Sequence, residues 1–128
     1  MRENKVNIII NKPIEDVFEF TINPQNTHVW IPSIQKEVSD EFPPKIGTRY
    51  KNCGKNADWS FYKVMEYEWC KIFTLSDLNE NYHVKYTYHK LKNDQTAMEY
   101  FEWMENGELE NPFTQDILDH LKSVMEKR

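Results

Sequence analysis

Hydrophobic and polar positions in this chain fall into two rhythms. Val6, Ile8 and Ile10 share one parity, with Asn7 and Ile9 between them, so the first segment reads as a strand. Asn11-Lys12-Pro13 ends it, and Pro13 suits the first turn of a helix. Glu15 and Asp16 follow where carboxylates complement the positive end of a helix dipole. Ile14, Val17, Phe18 and Ile22 give the helical stripe. Asn23-Pro24 stops this helix, because proline disfavours helical backbone in the residue before it. A short helix or turn is predicted from about Gln25 to Trp30, ending at Ile31-Pro32.

From there the period becomes two. Strands are predicted near 34–42, 46–52, 58–68, 71–77, 82–91 and 95–105. Turn chemistry separates them at Pro43-Pro44, Asn52-Cys53-Gly54, Asn79-Glu80-Asn81 and Asn93-Asp94. Such short connections imply antiparallel hairpins. Asn106-Gly107 closes the last strand, and Pro112 precedes a helix from about Phe113 to Lys127. Its stripe is Phe113, Ile117, Leu118, Leu121, Val124 and Met125, with Lys122, Lys127 and Arg128 toward the C-terminal end. The fold class is therefore α+β: a curved antiparallel sheet with one long helix to cover its concave face. No repeat, linker or low-complexity stretch divides the chain, which reads as one domain over 1–128.

Composition narrows the function classes. The chain is 39% hydrophobic and 29% charged, which is globular rather than disordered. The net charge is −5 with signs interspersed, so no clustered basic surface offers itself to nucleic acid. Three glycines leave almost nothing from which to build a phosphate-cradling loop. Dinucleotide, P-loop and nucleophile-elbow patterns are absent. Cys53 and Cys70 stand outside any CxxC pair, and the N-terminal apolar run, Val6 to Ile10, is too short for a signal peptide or a membrane span. A cytoplasmic location follows as an expectation. No metal and no cofactor is expected: His83 and His89 share a strand face but stand roughly 20 Å apart along an extended chain.

Several motifs together resemble a known superfamily. Pro13-Ile14-Glu15-Asp16-Val17-Phe18 after the first strand is similar to the P-x-E-x-V-F/W segment of START-like (SRPBCC, polyketide cyclase/dehydrase-like) proteins. Asn23-Pro24 with Trp30-Ile31-Pro32-Ser33-Ile34 resembles that group's D/N-P…W-x-P-x-I stretch, and Ile46-Gly47-Thr48-Arg49-Tyr50 its V-G-T-R strand opening. Val64 to Glu68 and Thr96 to Tyr100 sit where later strands of the superfamily fall. The resemblance implies a helix-grip fold, about seven antiparallel strands wrapped around the C-terminal helix. It also implies a cavity for lipids, polyketides or similar molecules, in proteins that include enzymes, carriers, co-chaperones and regulators.

The expected partner is a small, largely apolar molecule held between sheet and helix. On the strand at 82–91, Val84, Tyr86 and Tyr88 share one side, while His83, Lys85, Thr87 and His89 read as solvent-facing. On the strand at 95–105, Met98, Tyr100 and Met104 share one face and Phe101 and Trp103 the other; the resemblance favours Met98 and Tyr100 as inward, and a bulge could swap the register. Trp30, Tyr50, Phe61, Leu121 and Met125 complete the candidate lining. Tyrosines favour a pocket over a plain core, because each hydroxyl must be satisfied. An empty cavity of roughly 300 Å³ would cost on the order of 7 kcal/mol, comparable to the stability of a whole domain. A pocket here is thus small, wet or occupied.

Two other readings stay open. One is an enzyme, cyclase, dehydratase or hydrolase-like, with Glu102 as acid or base beside Tyr86, Tyr88 and Tyr100, and His28 near the mouth. The other is an interaction module presenting Trp59, Trp69 or Trp103 on its surface.

Overall fold

The computed structural model describes residues 1–128. Its element order is β1 (Glu3–Ile10), α1 (Ile14–Ile22), α2 (Thr27–Trp30), β2 (Lys36–Ser39), β3 (Arg49–Cys53), β4 (Trp59–Glu68), β5 (Ile72–Asp77), β6 (Tyr82–Lys92), β7 (Gln95–Met104) and α3 (Gln115–Glu126). The seven strands form one antiparallel sheet in the order β1-β7-β6-β5-β4-β3-β2. Chain neighbours pair as hairpins from β2 to β7, and β1 closes against β7. The helices lie on the inner face of this sheet, and α3 covers it as the patterning requires.

Most predicted elements are present, with shorter ends. The strand expected over 34–42 is only Lys36–Ser39, because Ile31-Pro32 and Pro43-Pro44 flank it with backbone that cannot pair. The turn expected at Asn52-Cys53-Gly54 comes later, since β3 runs through Cys53 and the chain reverses over 54–58. Asp94 adopts a left-handed φ of 60° in the β6–β7 hairpin, a conformation that Asp tolerates in a turn.

The register of β7 is settled by β1, which pairs with it without interruption from Glu3↔Trp103 to Ile10↔Thr96. Met98, Tyr100 and Glu102 therefore share the inner face. The β6–β7 pair shifts register only between Lys90 and Lys92, beside the hairpin turn, and a bulge sits on β4, between Val64 and Glu66. One extra residue there reverses the parity, so Val64 and then Tyr67 both point inward, Tyr67 reaching Phe18 at 5.8 Å between ring centroids.

On the outer face, His83 departs from expectation. It is 8% exposed rather than solvated. Trp103, its cross-strand partner, stacks on the imidazole at 4.8 Å, and Ser76 Oγ lies 2.6 Å from His83 Nδ1. Glu105 approaches Nε2 at 3.1 Å. Cross-strand neighbours bury a side chain that alternation assigns to water.

Candidate functional site

The inner face is solid at one end and hollow at the other. The β6–β7 pair shows the change residue by residue. Tyr88↔Met98 is packed solid, with 2% and 1% exposure; Tyr86↔Tyr100 follows; Val84↔Glu102 then faces open space. Ile10, Val17, Phe18, Leu118, Leu121 and Met125 fill the solid end. Phe18 meets Tyr88 edge-on at 5.0 Å.

The hollow end is a cavity of about 550 Å³. Its floor is Leu75, Val84, Tyr86 and Tyr100 from the sheet with Ile31 and Phe113 from the flanking loops. The exposed lining residues Ser33, Asp58, Ser60 and Asn111 mark where it opens, between the loop after α2, the β3–β4 turn and the loop before α3. Gly54 makes that rim tight: a Cβ on it would stand 3.1 Å from the Ser33 carbonyl oxygen. Only Ile117 of α3 reaches the cavity, from the helix's first turn.

The candidate residues divide accordingly. Tyr86 and Tyr100 line the cavity. Trp30, fully buried, stands behind them, edge-on to Tyr86 at 6.0 Å and to Phe113 at 6.2 Å. Tyr50, Tyr88, Met98, Leu121 and Met125 are core. Phe61 is misplaced in the sequence-based set: it is 51% exposed on the outer face, because its neighbour Tyr62 has the inward parity of β4 and lines the cavity. His28 is exposed on α2 and does not line the cavity.

One tyrosine hydroxyl separates the two ends. At the solid end Tyr50 donates to the Ile22 carbonyl at 2.9 Å, and the Tyr88 hydroxyl bonds Thr21 Oγ1 at 2.6 Å. At the hollow end Tyr86 has no hydrogen-bond partner in the protein, although it is only 7% exposed. Its hydroxyl is not among the sealed polar atoms that lack a partner, so it reaches the cavity space.

Three carboxylates line this space: Asp58 at the exposed rim, and Glu102 and Glu37 further in. Glu102 is 3% exposed and fully engaged: Tyr82 Oη donates to Oε1 at 2.7 Å, while Asn4 Nδ2 and the Phe113 amide donate to Oε2 at 2.9 and 2.7 Å. Asn4 also donates to the Phe113 carbonyl at 2.8 Å. Glu102 thereby ties the loop before α3 to β1 and β6. Sequence reasoning misses the buried-side carboxylate Glu37 on β2, because β2 is short and its one apolar residue, Val38, lies on the face opposite Glu37. Glu37 accepts the Thr27 hydroxyl at 2.6 Å and Asn52 Nδ2 at 3.0 Å. Burial raises its carboxyl above the ordinary value of 4.5, against the opposing effect of those two bonds. Burial first, and then the Glu37 charge, hold the Tyr86 phenol well above its ordinary range. No Lys, Arg or His lines the cavity, and neither Glu37 nor Glu102 has an ion-pair partner.

Elsewhere the chemistry is sparse. Cys53 and Cys70 are free and buried. No group of three His, Cys, Asp or Glu side chains is placed to hold a metal ion, and no helix is long and apolar enough to cross a membrane.

A seven-stranded antiparallel sheet gripping a C-terminal helix, hollow at one end, is the START-like, polyketide cyclase-like (SRPBCC) helix-grip fold. Solved structures of this shape are numerous. Protein MLL2253 from Mesorhizobium loti superposes with a TM-score of 0.71 at 15% identity, covering 98% of each chain. The di-domain ARO/CYC BexL of the BE-7585A biosynthetic pathway gives 0.66 at 10% identity, over 99% of this chain and 43% of that one. The Aha1 dimer from Colwellia psychrerythraea gives 0.63 at 12% identity, over 99% of this chain and 90% of that one. No protein-family model and no curated protein matches the sequence.

Proposed function

We propose that this chain is a START-like binding protein whose hollow end holds a small molecule with a large apolar body. The observation that carries the reading is the cavity itself. At about 550 Å³ it is the size of a ligand site. Its floor is aromatic and aliphatic, and the Tyr86 hydroxyl on that floor awaits a partner. Polar groups stand at one side, so a bound molecule is oriented as well as buried.

Nile red, a neutral apolar fluorophore, tests this directly. It should bind saturably at one site per chain with enhanced emission. Val84→Trp, which fills the floor, should abolish the enhancement while the circular dichroism spectrum stays native. Unsaturable binding, or enhancement untouched by Val84→Trp, would sink the reading.

A second reading has a specific observation in its favour. Acid–base chemistry on the bound molecule would use Glu37, whose raised carboxyl suits proton transfer nearer neutral pH. Glu102 is the poorer choice, since three donors already occupy its oxygens. The interaction-module reading has less support. Trp59 and Trp69 lie at opposite ends of β4, and Trp103 is stacked against Phe101 and His83, so the three make no common patch.

A further inference from the structure

We infer that the molecule bound at the hollow end is cationic, a protonated amine on an apolar body, with its ammonium group seated between Glu37 and the Tyr86 hydroxyl. The inference rests on the binding reading above and specifies the ligand's charge.

The cavity lining is unbalanced in charge. The chain has 16 Lys and Arg residues, yet none lines the cavity, while Glu37, Asp58 and Glu102 all do. Buried acids in proteins are paired or fully hydrogen-bonded. Glu102 meets that rule with three donors. Glu37, half-buried beside the cavity, is less completely bonded: it receives one hydroxyl and one amide, where two carboxylate oxygens offer about four acceptor sites. Burial raises its carboxyl, and no Lys, Arg or His lines the cavity to offset that.

A second observation is independent of the acids. The Tyr86 side chain is more than nine-tenths buried, lines the cavity, and has a hydroxyl without a protein partner. Its oxygen accepts a hydrogen bond, and an ammonium group donates three. The rings of Tyr62, Tyr82, Tyr86 and Tyr100 form the surrounding wall. Aromatic faces attract cations and are indifferent or repulsive to anions. Carboxylate and aromatic wall thus point to a cationic group, and the phenol oxygen is placed to accept a hydrogen bond from it. An anionic ligand would meet three acids and no base.

Three probes with one phenylbutyl body separate the possibilities: phenylbutylamine, phenylbutanol and phenylbutyrate, titrated near neutral pH by calorimetry. The amine should bind about tenfold or more tighter than the alcohol, and the carboxylate weakest of the three. Glu37→Gln should shrink the amine-to-alcohol ratio to about twofold, since it removes the charge from a partly desolvated pair. Equal affinity of amine and alcohol, preference for the carboxylate, or a ratio unchanged in Glu37→Gln overturns the inference. The ranking on the unaltered chain decides the matter even if the variant fails to fold. Nile red separates the two levels: if it binds while the amine is not preferred, only the charge assignment falls. If Nile red and all three probes fail, the binding reading falls as well.

Discussion

The two ends of the grip use the same sheet, the same helix and the same residue types to opposite effect. At the solid end, Tyr50 and Tyr88 have hydroxyls satisfied by α1, and Leu118, Leu121 and Met125 from α3 press against Phe18 and Met98. At the hollow end, Tyr62, Tyr82, Tyr86 and Tyr100 face open space, and α3 contributes Ile117 alone. The difference is what stands opposite each tyrosine. Where α1 supplies a carbonyl or a threonine, tyrosine is a core residue with a satisfied tip. Where only loops stand opposite, it becomes part of a wall. A tyrosine on the inner face therefore does not by itself mark a site; an inner tyrosine without a partner does.

The strongest way to break this comparison is to shorten one α3 side chain at each end of the grip. Leu121→Ala at the solid end should lose about 2–5 kcal/mol in urea unfolding, as buried leucines do. Ile117→Ala, facing the cavity, should lose about 1 kcal/mol or less, since its surroundings are already open. Equal losses would mean that the hollow end is as well packed as the solid one.

Glu102→Ala should follow, at about 3 kcal/mol, because the substitution strands the Tyr82 hydroxyl, the Asn4 amide and the Phe113 N–H. Amide exchange at Phe113 should accelerate with it. A variant of unchanged stability would show that the loop before α3 is held by something else.

Enlargement sharpens the contrast. Val17→Trp at the solid end should cost about 1–3 kcal/mol or prevent folding. Val84→Trp at the hollow end should stay within about 1 kcal/mol of the parent, because the added volume enters space rather than neighbours.

The smallest effect is electrostatic. Glu37 binds its proton more tightly in the folded chain than in the unfolded one. Between its ordinary value of 4.5 and its raised folded value, the native state therefore holds more proton, and stability falls as pH rises through that window. Glu37→Gln removes this loss. Its stability relative to the parent should improve from acid toward neutral pH and reach a plateau above the window. The groups facing Glu37 that could blur this are Tyr50, Tyr62 and Tyr86, all held neutral by burial, and the cavity acids Asp58 and Glu102. A pH-independent difference between the two proteins would contradict the desolvation of the Glu37 carboxyl.

Much of the fold was legible because period-two and helical stripes are long here. β6 and β7 run 11 and 10 residues, and the α3 stripe spans its whole length. The cavity was legible only in part. Tyr86 and Tyr100 carried the right parity, yet Tyr88, Met98, Leu121 and Met125 share that parity and end in the core. Alternation reports which face a side chain takes, and nothing about how far along the sheet the helix ceases to fill it. Phe61, expected inside, sits outside, as strict alternation from the inward Tyr62 requires. Glu37 left no trace, because four residues of strand between prolines carry too little pattern to assign a face. Alternation alone sends His83 to water, because the stacking of Trp103 from the neighbouring strand is a cross-strand event.

The central claim is that the hollow end binds and the solid end does not. Titrating labelled protein with neutral phenylbutanol and following backbone amide shifts by NMR tests it most directly. The account predicts saturable shifts at Glu37, Tyr86, Tyr100, Phe113 and Ile117, with Phe18, Tyr88, Leu121 and Met125 unmoved. Saturable shifts centred on the solid end, or on the outer face around Trp59 and Phe61, would contradict it.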